Sequence, residues 1–249
     1  MLSYVGKINS EKVKQMANKN SKSNDKKSII YAGVVAAIII ALIAIVLIFS
    51  EKDGKTTTAT QGSAQSTPVA TQKSTYNPAP LDEALIYYAD IDIKDHGTIT
   101  VKLDQASAPI TCANFVELAN SGFYDGLTLH RIIEGFMMQG GDPLGTGMGG
   151  SDNNIVGEFT SNGHDNPISH TRGTISMARS MANDSASSQF FIVHQDSTFL
   201  DGEYAGFGTV TEGIEIVDKI CTEAKPSDNN GSIPADEQPV INSITIRTE

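Results

Sequence analysis

Cysteine is nearly absent from this chain of 249 residues: Cys112 and Cys221 are its two thiols, and neither stands in a Cys-x-x-Cys pair or beside a histidine cluster. Such a chain is not built on a disulfide framework, and it lacks the ligand spacing of a structural zinc site. Basic residues are also scarce. There are 18 against 29 acidic ones, and seven of the 18 are lysines crowded into residues 1–28, where only Glu11 and Asp25 oppose them. Everything after that point is strongly acidic, which excludes a nucleic-acid partner, because that affinity comes from cations neutralising phosphates. Long-range attraction favours neutral or basic partners instead. No Gly-x-Ser-x-Gly elbow surrounds Ser185, Ser187 or Ser188, so a serine nucleophile has no presenting turn. No internal repeat is present.

What is there divides into four parts. Residues 29–49 are almost pure Ile, Ala, Val and Leu, with no charge. At about 1.5 Å per residue a helix of this length spans the roughly 30 Å hydrocarbon core, so a transmembrane segment is expected. The lysine-rich residues 1–28 before it place the N-terminus in the cytoplasm and the rest outside. A cleaved signal peptide is the rival, but the apolar run is longer than a signal h-region, and no small-x-small site follows Phe49 directly. Residues 50–81 are rich in Thr, Ser, Gln, Ala, Gly and Pro. They cannot bury enough surface to offset their ordering entropy, so they read as a flexible tether with a span of roughly 30 Å. Residues 82–249 form the globular domain.

In that domain the pattern is one of short alternating runs. Residues 85–93 and 98–103 read as strands joined by a hairpin turn at Asp95-His96-Gly97. Pro109 opens a helix that buries Cys112, Phe115, Val116 and Ala119 on one face and ends at Gly122. Further strands are expected at 127–133, 136–139, 173–178, 189–193, 205–210 and 240–246, with a second helix at 214–221. Many short strands and two helices indicate an antiparallel barrel or sandwich. Gly145-Thr146-Gly147-Met148-Gly149-Gly150 matches the dinucleotide fingerprint, but no helix pattern follows it and no βαβ unit surrounds it, so it reads as a loop.

Residues 130–142, His-Arg-Ile-Ile-Glu-Gly-Phe-Met-Met-Gln-Gly-Gly-Asp, concentrate the chemistry. One permanent cation, Arg131, and one neutral amide, Gln139, flank an apolar run with glycines at its turns. That combination suits a neutral peptide better than a phosphate or a metal. His96, His164, His170 and His194 make no ligand cluster and read as turn or strand residues. No metal and no cofactor is expected.

Phe115, the 130–142 run, Gly173-Thr174-Ile175-Ser176-Met177-Ala178, Ser188-Gln189-Phe190-Phe191-Ile192, Phe199-Leu200-Asp201-Gly202 and Phe207-Gly208 follow one another in the order of the cyclophilins. Over about residues 84–248 the chain resembles these peptidyl-prolyl cis/trans isomerases, as a bacterial membrane-anchored member. The resemblance implies a mainly β fold, an eight-stranded antiparallel closed barrel capped by two α-helices, with a peptide groove on one face. It implies Arg131 as donor to the prolyl nitrogen and Gln139 as the residue that helps hold the substrate carbonyl and orient the arginine. Phe136, Met137, Phe191 and Leu200 correspond to the proline pocket. His130, Ala178, Arg179, Gln189, Phe199 and Tyr204 correspond to the surrounding groove, with His130 a wall or structural residue, since isomerisation abstracts no proton. Cys112 and Cys221 fall on opposite capping helices in the family fold, so two free, buried thiols are expected.

Many cyclophilins carry Pro at the position of Glu134, Asn at that of Arg179, Trp at that of Phe199 and His at that of Tyr204. Arg179 is expected to put a second cation at the groove rim. Phe199 lacks the indole N–H that binds cyclosporin in eukaryotic members, so weak inhibition by that drug is expected. The implied partners are proline-containing peptides and unfolded exported proteins, met by a membrane-tethered monomer. The rivals are a non-catalytic module or chaperone that holds proline segments at the cell surface, and an adhesin on a stalk, which leaves Arg131 and Gln139 without a role.

Overall fold

The computed structural model describes residues 76–249. Strand β1 (Tyr87–Ile93) alternates strictly, with Tyr87, Ala89, Ile91 and Ile93 buried and the residues between them half-exposed, as a strand with one covered face requires. The chain reverses through Asp95, at φ 63°, and Gly97, at φ 110°, a left-handed excursion that Asp and Gly tolerate best. It returns as β2 (Gly97–Leu103) with Ile91 opposite Ile99.

Helix α1 (Pro109–Asn120) starts on its proline and buries Cys112, Phe115, Val116 and Ala119. Ala108 offers no side-chain cap. The buried carboxylate of Glu158 supplies it from a distance, accepting the N–H of Ile110 at 3.0 Å and the N–H and hydroxyl of Thr111 at 2.7 Å each. An anion at that end also complements the helix dipole.

The remaining elements are β3 (Arg131–Ile133), β4 (Met137–Gly140), β5 (Thr174–Met177), β6 (Phe190–Val193), β7 (Gly206–Glu212), α2 (Ile214–Glu223) and β8 (Ile241–Thr248). Short 3-10 turns occupy Thr160–Asn162 and Thr198–Leu200. The strands form one sheet in the order β3-β4-β6-β5-β7-β2-β1-β8, and its pairings are antiparallel. The core lies inside the curl of this sheet. There Phe115 of α1 packs its ring 5.2 Å from those of Tyr124 and Phe207 and edge-on to Phe190.

The sheet is a half-barrel and not the closed barrel expected. Its edge strands β3 and β8 share no ladder, and the bridge Thr128↔Val240 joins the segments beside them. Residues 127–129, expected to lengthen β3, turn to residues 239–241 at the start of β8 instead. Leu129 N–H donates to Pro239 O at 2.9 Å and Ile241 N–H to Leu127 O at 2.8 Å. The outer edge of β3 is covered by residues 231–233, where Ile132 N–H donates to Gly231 O at 2.8 Å and Ile233 N–H to His130 O at 3.0 Å.

Cys112 on α1 and Cys221 on α2 are both buried and unpaired. Tyr76 and Leu81, assigned by sequence to the tether, already pack against the domain core. Among the described residues no helix is long and apolar enough to cross a membrane. The expected span at 29–49, the lysine-rich residues 1–28 and most of the tether lie outside them.

Candidate active site

The β3–β4 hairpin turns through Gly135 at φ 78° and sets Arg131 directly opposite Gln139. Both side chains emerge on the same face, as cross-strand partners must. Arg131 Nη1 donates to Gln139 Oε1 at 3.2 Å. Gln139 Nε2 donates to Gln189 Oε1 at 2.8 Å, and Gln189 Nε2 donates in turn to the carbonyls of Gly147 at 3.1 Å and Gly149 at 2.6 Å. The amide of Gln139 is therefore oriented from behind, with its oxygen toward the guanidinium. On the other side Arg131 Nε donates to Asn230 O at 2.7 Å. That loop is shaped by Asp228, whose Oδ1 accepts the N–H groups of Asn230 and Ser232 at 2.9 and 3.0 Å. Burial pulls the Arg131 pKa below its ordinary value, with Tyr204 and Asp228 opposing. A guanidinium starts so high that it stays charged.

Beside this polar chain lies a small apolar cluster, separate from the main core. Met137, Phe191, Val193 and Leu200 are its buried members, and Ile133, Phe136, Ala178 and Tyr204 pack around them. Phe191 sits there because it is the cross-strand partner of Gln139 in the β4–β6 pair. Leu200 arrives on the Thr198–Leu200 turn. Phe199 stays 66% exposed, with its ring 5.6 Å from that of Phe136. A fixed cation, an oriented amide and an apolar recess thus meet on the strands β3, β4 and β6.

The pattern belongs to a known family. The model for the cyclophilin type peptidyl-prolyl cis-trans isomerase/CLD family matches residues 88–248. The chain is a member of the cyclophilin-type peptidyl-prolyl cis-trans isomerases. It is 43% identical over 148 residues to a peptidyl-prolyl cis-trans isomerase of Helicobacter pylori, covering 59% of this chain and 88% of the relative. It is 47% identical over 123 residues to peptidyl-prolyl cis-trans isomerase B of Bacillus subtilis, covering 49% and 82%. Among solved structures, a Cryptosporidium parvum cyclophilin crystallised in the presence of the dipeptide Ala-Pro matches with a TM-score of 0.57 at 30% identity, covering 65% of this chain and 99% of that one.

Within this cyclophilin, ten of the twelve residues assigned to the site by sequence fall in the polar chain, the apolar cluster or against its edge. His130 joins neither group. It is 5% exposed, both ring nitrogens lack a hydrogen-bond partner among the described residues, and burial holds its pKa below the ordinary value. Arg179 sits against the groove residue Tyr204, and its partners enclose it. Its guanidinium carbon lies 4.8 Å from the ring centres of both Phe159 and Tyr204, and Nε donates to Glu203 O at 3.0 Å. Nη1 donates to Ser180 O at 3.0 Å, Nη2 pairs with Glu203 at 3.7 Å, and the side chain is 11% exposed. The cation braces the 178–181 segment against Tyr204 and is held there by the two aromatic rings. Sequence reading missed Asn230, Asp228 and the carbonyls of Gly147 and Gly149. Asp228-Asn229-Asn230-Gly231 carries a plain turn signal, but nothing in that signal says the turn reaches Arg131.

Proposed function

We propose that the cyclophilin accelerates X-Pro rotation through Arg131, which donates to the prolyl nitrogen while the apolar cluster holds the pyrrolidine ring. Rotation is opposed by amide resonance, with a barrier of about 18–20 kcal/mol. No bond is made or broken, so the protein's task is to stabilise the twisted state. As resonance is lost, the prolyl nitrogen gains a lone pair that accepts a hydrogen bond. A donor aimed there acts in the twisted state and not in either planar one. Gln139 holds the guanidinium in place and offers its amide to the substrate carbonyl. Phe136, Met137, Phe191 and Leu200 provide the ring pocket, and Ala178, Gln189, Phe199 and Tyr204 its surroundings. The observation that carries this reading is the Arg131–Gln139 pair, oriented by Gln189 and bordered by the Met137–Phe191–Leu200 recess. The Ala-Pro dipeptide present with the Cryptosporidium relative supports a proline-containing peptide as substrate.

The substrates we propose are unfolded exported proteins, met outside the cytoplasmic membrane by a monomer anchored through residues 29–49 with its N-terminus inside. The uncharged run and the lysine-rich flank support this arrangement. Acceleration of a short X-Pro peptide by the purified full-length chain tests the activity. Binding of the peptide without acceleration overturns it in favour of a holding module. Protease added to intact cells tests the topology: digestion of residues 82–249 with protection of residues 1–28 is expected, and the reverse overturns it. Phe199, without an indole N–H, predicts weak cyclosporin inhibition, which low-nanomolar inhibition contradicts.

A further inference from the structure

Against the apolar cluster lies a histidine for which the isomerisation itself has no use. His170 has no exposed surface. Its Nδ1 is 2.9 Å from Asp201 Oδ1, and its Nε2 is 2.9 Å from Ser176 Oγ. The Asp201 carboxylate also accepts the His170 backbone N–H and the Ser169 hydroxyl, each at 2.7 Å. Burial, opposed by Asp201, keeps the imidazole pKa below its ordinary value, so the ring is neutral near neutral pH. An ionised carboxylate can only accept. The ring proton is therefore on Nδ1, and Nε2 accepts the hydroxyl proton of Ser176. The arrangement has the order of a hydrolytic Ser-His-Asp triad, but Ser176 is fully buried on β5 and no substrate atom can reach it.

What the three residues share is the cluster they touch. Ser176 is the cross-strand partner of Phe191. Asp201 follows directly on the turn that carries Phe199 and Leu200. The His170 ring stacks on Phe191 with centres 6.0 Å apart and planes 20° apart, and it meets Tyr204 nearly edge-on at 6.5 Å. Phe191 and Tyr204 are themselves 6.0 Å apart at 83°.

We propose that His170, as the Nδ1–H tautomer held by Asp201, is a positioning residue that locks Phe191, Leu200 and Tyr204 into one preformed wall of the proline-ring pocket. The proposal rests on the assignment of that cluster as the pocket. The pocket grips the ring alike in the cis, trans and twisted states, so a displaced wall weakens uniform binding: KM rises while kcat is nearly unchanged. Loss of Arg131 does the opposite, because its bond strengthens in the twisted state.

The test compares His170→Phe, which keeps a ring against Phe191 but loses both hydrogen bonds, with Arg131→Ala and Phe191→Ala in the full-length chain. For His170→Phe we expect KM to rise about ten-fold with kcat within about two-fold. A fall in kcat at constant KM, or no change in either, overturns the proposal. Should Phe191→Ala leave KM unchanged, the pocket assignment fails and the proposal falls with it. Should Phe191→Ala raise KM while His170→Phe does not, the role of His170 alone is refuted. Nitrogen NMR of the unsubstituted chain tests the tautomer independently of whether His170→Phe folds. A proton on Nδ1 and a bare Nε2 are expected, whereas a proton on Nε2 contradicts the orientation by Asp201.

Discussion

Arg131 and Gln139 face one another across the β3–β4 pair, and Arg131 Nη1 donates to Gln139 Oε1 at 3.2 Å. The bond is one link of a chain that runs through Gln189 to the carbonyls of Gly147 and Gly149. Its direction is settled at that far end. Carbonyls can only accept, so Gln189 must present its NH2 to them and its oxygen to Gln139, which leaves the Gln139 oxygen facing the guanidinium. Removing the Gln139 side chain frees Arg131 to leave its aligned position. Gln139→Ala is expected to lower kcat/KM about ten-fold, with the loss mainly in kcat. Peptide isomerisation kinetics check this, and an unchanged kcat contradicts it.

The other restraint on Arg131 is the Asn230 carbonyl, whose loop closes through Gly231 at φ 88°. A side chain there is strained by the backbone and meets Ile133 Cγ1 and the Ile132 carbonyl. Gly231→Ala is expected to destabilise the fold by about 1–3 kcal/mol and to lower kcat/KM by moving the carbonyl that holds Nε. A urea midpoint equal to that of the unsubstituted protein sinks this account of the loop.

Two buried histidines make stability depend on pH. Burial lowers the folded pKa of both His130 and His170 below the ordinary 6.5. In the window below 6.5 the unfolded chain binds more protons than the folded one, so stability rises with pH there and falls on acidification. Above 6.5 both states are neutral at these positions and the effect vanishes. Denaturant midpoints measured from pH 7 down to pH 5 are expected to decline, and a flat profile contradicts the burial of both rings.

Both thiols are predicted to be silent until the protein opens. Burial pushes Cys221 up to about 12 and Cys112 well above its ordinary value. The thiolate is the reactive form. A disulfide-exchange reagent at pH 8 is expected to label neither thiol in the folded protein and both after denaturation. Rapid labelling in the folded state, or fewer than two thiols after unfolding without reductant, contradicts the structure.

The parts of this protein legible in its sequence are those where a local pattern carries the information. The alternation in β1 and the Pro109 start of α1 with its Cys112, Phe115, Val116, Ala119 face are of that kind. So is the density of chemistry in residues 130–142, and family likeness extended it to Gln189, Phe191 and Leu200. What stayed hidden depends on contacts between distant segments. Residues 127–129 alternate well enough for a strand, yet they pair with residues 239–241, and the barrel stays open. Arg179 reads as a second cation at the groove rim, and nothing local shows that Phe159 and Tyr204 enclose it. Asn230 lies 99 positions from Arg131, and His170 reads as a turn or strand residue until Asp201 and Ser176 are brought to its two nitrogens.

The central claim is that Arg131 stabilises the twisted amide and does more than bind the peptide. Steady-state isomerisation of one X-Pro peptide by the unsubstituted chain, Arg131→Lys and Arg131→Ala tests it most directly. Removing a donor aimed at developing electron density lowers kcat about 100-fold to 1000-fold. Lysine keeps the charge but not the fixed fork of donors, and it recovers a small part of that loss. The account predicts this order in kcat with little change in KM. An Arg131→Ala protein with unaltered kcat contradicts it.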